Sequence, residues 1–135
     1  MFLIRDAIRM IRDINASGFA ISLWGGLLNI PQLIGGLIFI ATVEGQAILA
    51  AEIVALAIAG QIHKRNRFSR LIGICHFLWL ALLPWLVYRI VGFDHSAVLT
   101  VWLWYVAVTI LISLIFDVRD VFLYFRGEKK FAWSK

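Results

Sequence analysis

Long apolar runs broken by short charged clusters set the pattern of this chain. No Lys or Arg occurs from Gly18 to Ile62. That stretch is too long for one membrane-crossing helix and sufficient for two, since a span takes about 20 residues at 1.5 Å each. The most polar part of its middle, Thr42-Val43-Glu44-Gly45-Gln46, is the expected turn, which places spans at about 19–41 and 46–62. A turn at Pro31 would leave a first span of only about 14 apolar residues. Pro31 is therefore expected as a kink inside a helix.

The segment from His63 to Arg70, with Lys64, Arg65, Arg67 and Arg70, is a basic connector. A third span is predicted at about 71–91, with Pro84 as a second kink, and Gly92-Phe93-Asp94-His95 as the next connector. A fourth is predicted at about 97–116, its helix continuing to Arg126 and closed by Gly127. Residues 117–135 form the tail. At the other end, residues 1–17 read as an amphipathic helix. Leu3, Ile4, Ala7, Ile8, Met10, Ile11 and Ile14 recur at steps of three and four, while Arg5, Asp6, Arg9, Arg12 and Asp13 fill the other face. Such a helix is expected in the headgroup layer. The fold class read from this pattern is all-α: an integral membrane bundle of four transmembrane helices, one domain over 1–135, with an interfacial helix in front.

Composition reinforces the pattern. The chain is 62% hydrophobic and 16% charged, where soluble domains run nearer half apolar and a quarter charged, and a chain this small has too much surface to hide the excess. The net charge of +5 raises nucleic acid as a partner. The cations gather between apolar runs, however, and no aromatic-basic groove motif accompanies them, so nucleic-acid binding is not expected. Their distribution sets orientation instead: three precede the first span, four lie in the basic connector, five follow the fourth span, and Arg89 alone lies near the opposite face. Twelve of thirteen on one side predicts both termini in the cytoplasm, by the positive-inside rule, and a bacterial inner-membrane location. Trp85, Tyr88, Phe93 and Trp102 would form the outer aromatic belt. The start is not expected to be a cleavable signal, because its charges and the long apolar stretch behind them do not fit one. Cys75, the single cysteine, excludes an internal disulfide and a cysteine zinc site and is expected as a buried small hydrophobe. Gly18, Leu23, Trp24, Leu27 and Leu28 match Gly73, Leu78, Trp79, Leu82 and Leu83 at a constant offset, which hints at two parallel two-helix repeats.

Few polar residues remain that could carry function. Glu52 falls near the middle of the second span, where an ionisable side chain is costly and either marks an ion or proton path or acts as interhelical glue. Asn29 is expected at the same depth as a hydrogen-bond donor, with Gln32 one turn away. Gly18, Ser22, Gly25, Asn29, Gln32 and Gly36 line one face of the first span, and Ala47, Ala51, Ala55 and Ala59 give the second a small face, so both are expected to pack helix on helix. His76, Thr109 and Ser113, continued by Asp117 and Asp120, suggest either a proton relay or a histidine bonded between helices. No cofactor is expected; haem held by His63 and His76 is the alternative. A Ser113–histidine nucleophile lacks any supporting motif. Arg65, Arg67, Arg126, Lys129 and Lys130, with Phe131 and Trp133, are expected to meet anionic headgroups or a partner protein. Arg89, Glu44, Asp94 and His95 are expected as a solvated outer rim. The expected role is an accessory or self-assembling membrane subunit, more readily than an enzyme. The alternative is an oligomeric channel or transporter for protons, cations or a small solute, using Glu52.

Overall fold

The computed structural model describes residues 1–134. It is all-helical: α1 (Phe2–Asn15), α2 (Phe19–Ile38), α3 (Val43–Arg65), a 3₁₀ helix (Arg70–His76), α4 (Trp79–Gly92) and α5 (Ala97–Phe125). Among the described residues extended pairing is limited to one isolated bridge, Ser69 with Lys130. Helices α2, α3 and α5 are each long and apolar enough to cross a membrane, and the 3₁₀ helix with α4 makes a fourth candidate, bent by 42°.

The turn falls where the polar residues place it. Thr42 donates its hydroxyl to the Phe39 carbonyl at 2.7 Å and accepts the Gly45 N–H at 3.0 Å. It thus closes α2 and caps the start of α3. Ser96 caps α5 through the Leu99 N–H. At the other end of α5, Gly127 takes φ +105° and the Glu128 N–H returns to the Leu123 carbonyl, the left-handed stop that glycine allows.

Pro31 lies inside α2. Lacking an N–H, it leaves the Leu27 carbonyl without its helical donor. Tyr105 on α5 donates its hydroxyl to that carbonyl. Trp102, one turn away, donates its indole N–H to the Pro31 carbonyl at 2.9 Å. In an apolar surrounding, freed backbone groups must find such partners. Gly35 makes the contact possible: a Cβ there would collide with the Trp102 indole.

The third apolar run departs from a continuous helix. Arg70–His76 winds as a 3₁₀ helix of seven residues, longer than such helices usually run. The break comes before Trp79, while Pro84 sits inside α4. Tight winding carries Gly73 against α5, where a Cβ would stand 3.1 Å from the Asp117 backbone. The offset repeat does not recur as shape: Gly18 starts a regular α-helix with open space beside it, whereas Gly73 belongs to the tight 3₁₀ turn.

Two clusters hold the helices together. One joins Leu28, Ile48, Ala51, Trp79, Leu103 and Val106 with their neighbours on α4 and α5, and the other joins Met10, Ala55, Ala59 and Cys75. Large side chains such as Phe19, Val91, Val98 and Ile115 point outward, as expected where the surrounding solvent is hydrocarbon. Helix α1 has three faces. Asp6 and Met10 are buried and Asp13 half-buried against α3, Ile4, Ile8 and Ile11 are exposed, and Arg5, Arg9 and Arg12 form an exposed cationic edge.

Candidate functional site

Glu52 is wholly buried midway along α3, and neither carboxyl oxygen has a hydrogen-bond partner. Gly36 on α2 packs against Leu49 and the Gly45 carbonyl. One turn earlier on α2 and one turn later on α3 therefore bring Gln32 level with Glu52 in the antiparallel pair. Gln32 is also wholly buried; its amide N–H₂ turns back to the Leu28 carbonyl at 3.2 Å, and its Oε1 has no partner. The indole N–H of buried Trp79 is likewise unpaired. Asn29 is only half-buried and spends its amide on the Gly25 carbonyl of its own helix. The expected Asn29–Glu52 bond is not formed. Three acceptor oxygens without a protein donor among the described residues thus fall at one level of the α2–α3 pair, where buried polar groups are rarely left unpaired.

The small-residue faces divide. Gly36 makes the close approach, whereas Gly18 and Gly25 have nothing within 4 Å of a would-be Cβ, and Ser22 is half-buried. Ala51 meets the Trp79 cluster, Ala55 and Ala59 receive Met10 and Cys75, and Ala47 is half-buried beside the first cluster. Gly60 on α3 makes a close approach of its own, to α1, where a Cβ would stand 2.8 Å from the Ala7 nitrogen.

At the basic end, α1 is locked to α3 by charge. Asp6 accepts from Gln61 and Lys64, each at 3.0 Å, and both hold its carboxyl below the ordinary value. Asp13 lies 3.1 Å from His63 Nε2 and 2.9 Å from Arg67, which likewise hold it low. His63 Nδ1 accepts the Phe68 N–H at 3.4 Å, so Nε2 carries the proton it donates to Asp13. Phe68 has φ 57°, a strained region for a bulky residue. Its carbonyl accepts the Phe131 N–H, and its ring meets His63 and Trp133 edge-on. The tail thereby folds back onto the connector; the Lys129 carbonyl accepts the Arg70 N–H as well. Buried Arg70 binds Asp120 at 2.5 Å. Arg65, Arg126, Lys129 and Lys130 remain exposed.

Further along α5, His76 Nδ1 is 2.7 Å from Asp117 and its ring stacks on Trp79 at 3.8 Å. Thr109 and Ser113 are buried, but the Thr109 hydroxyl bonds only to the carbonyls of Tyr105 and Val106. The pair within the expected relay is therefore His76 with Asp117. Of the two histidines in the haem alternative, His63 has protein partners at both ring nitrogens, and His76 at Nδ1 alone. No group of three or more His, Cys, Asp and Glu placed to hold a metal occurs among the described residues.

No protein-family model, curated protein or solved structure matches this chain. The site must be read from its own chemistry.

The expected solvated outer rim is overturned in part. Glu44 is 2% exposed, and its Oε1 takes Arg89 at 2.7 Å and His95 at 2.9 Å. The Arg89 guanidinium also lies over the Phe93 ring at 3.9 Å. The Glu44 carboxylate at the first turn of α3 gathers Arg89 from the end of α4 and His95 from the 92–95 connector, and only Asp94 of the four is fully exposed. Sequence reading missed this triad because the three residues are distant in the chain. Arg89, the lone basic residue outside the basic clusters, was the available signal.

Proposed function

We propose that the chain is a four-span membrane protein with both termini cytoplasmic, in which Glu52 holds a proton or small cation within an oligomeric channel or transporter. The observation that carries this reading is that, among the described residues, no protein group donates to Glu52 Oε1, Glu52 Oε2 or Gln32 Oε1. Interhelical glue would need the opposite, a carboxyl bonded across helices. A proton on Glu52 turns one oxygen into a donor, and Gln32 Oε1 on the same level is an acceptor without a donor. A small cation would instead take oxygens from both. An ionisable residue in this position is a functional-site hypothesis by default. Four helices of this size leave little room for a path, so the reading requires more than one copy.

A second reading is the accessory or self-assembling subunit. It is favoured by the walls of the surface grooves: none of four grooves of about 300–450 Å³ includes Glu52. Reconstitution into liposomes with an internal pH dye decides between the two. Proton or cation flux in the wild type, reduced at least ten-fold by Glu52→Gln, supports the first. No flux from either, together with a partner protein that stays bound through purification, supports the second.

A further inference from the structure

A groove runs along the outside of the molecule between the 3₁₀ helix and α4 on one side and α5 on the other. It consists of two stretches of about 350 and 420 Å³ that share Leu80, Leu114 and Val118. On α5 it reaches from Leu111 to Phe122, about 16 Å at helical rise. Its walls are hydrocarbon except at one place, where His76 and Asp117 enter the lining. Their side chains are 14% and 16% exposed, and they sit on the basic-end half of the groove.

The orientation of the dyad selects a ligand chemistry. His76 Nδ1 is paired with Asp117 at 2.7 Å; in a neutral imidazole that pairing keeps the proton on Nδ1 and leaves Nε2 as an acceptor. Nε2 has no hydrogen-bond partner among the described residues. The stack on Trp79 and the approach of Gly73 to Asp117 fix both groups in place. An acceptor beside a carboxylate repels an anionic head, and it gains nothing from an ester or ether oxygen, which can only accept.

From this geometry we infer that the groove binds a single-chain amphiphile with an uncharged hydroxyl head. The hydroxyl donates to His76 Nε2, and the chain lies along α5 towards Leu111. This site is separate from Glu52 and stands or falls without it. A quinol and an aliphatic or isoprenoid alcohol share the required chemistry.

The test uses the full chain in phosphatidylcholine nanodiscs with a diazirine-bearing hexadecanol as photoprobe, and cross-links located by peptide mass spectrometry. Labelling is expected within 111–122 and 73–80. Dodecanol is expected to displace the probe at a concentration at least ten-fold below that needed for dodecyl methyl ether. Decylubiquinol displacing better than dodecanol identifies a quinol, and equal displacement identifies an aliphatic alcohol. His76→Ala removes the preference for alcohol over ether while the chain still labels, and Leu114→Trp abolishes labelling by filling the groove. The inference is overturned if the wild type is not labelled there, if ether and alcohol compete equally, or if His76→Ala keeps the full preference.

Discussion

Single polar groups held away from water must find partners within the fold. The clearest case is the Leu27 carbonyl, freed by Pro31 and taken up by the Tyr105 hydroxyl. Tyr105→Phe should cost about 1 kcal/mol of resistance to unfolding, the size of a hydrogen bond inside a membrane. In a Pro31→Ala background the same substitution should cost much less, because residue 31 then supplies its own N–H to Leu27. An SDS-unfolding double-mutant cycle reads the difference, and equal costs in both backgrounds would refute the pairing. Gly35→Ala should destabilise by about 1–3 kcal/mol, since its methyl meets the Trp102 indole. Glu44→Ala leaves Arg89 and His95 facing each other without their carboxylate. A loss of about 2–3 kcal/mol in the same unfolding assay is expected, below that of a fully buried pair because Arg89 is partly exposed.

Among the elements, α1 is the one whose placement depends on charge. Its carboxylates Asp6 and Asp13 are held low by Gln61 and Lys64 and by His63 and Arg67. Groups with depressed folded-state values stabilise docking above their ordinary range, about pH 4, and lose that contribution as pH falls through the depressed values. Amide exchange of α1 should therefore stay protected at neutral pH and rise on strong acidification, before the apolar helices open. Protection independent of acid would argue against the ionic lock. Gly60→Leu should detach α1 at every pH, because its side chain would stand where the Ala7 backbone lies. The apolar and polar periodicity of residues 1–17 made this helix legible in the sequence. Its partner was not, since nothing in spacing ties Asp6 to Gln61 or Asp13 to His63. The α2–α3 turn was legible for a local reason, the polar cluster around Thr42. The break before Trp79 was hidden because the approach of Gly73 to Asp117 beside it joins distant segments, and Pro84 lies inside α4 rather than at the break.

For the whole molecule, the helical class and three of the four expected long apolar helices were legible, because both follow from length and hydropathy; the remaining run is a 3₁₀ helix and α4 bent by 42°. The candidate site was half legible. Glu52 and Gln32 stood out as polar residues in apolar runs, whereas Asn29, chosen by its distance from the basic end, proved to face its own helix. The Glu44 triad and the His76–Asp117 orientation needed the fold. All of the functional reading presumes that hydrocarbon surrounds α2–α5 and that the basic end is cytoplasmic. Single cysteines placed at Asn66 and Asp94 in a Cys75→Ala background, labelled in intact cells with a membrane-impermeant maleimide, test this directly. Label is expected at position 94 in intact cells and at position 66 only after permeabilisation. Label at 66 in intact cells, with 94 protected, would contradict it.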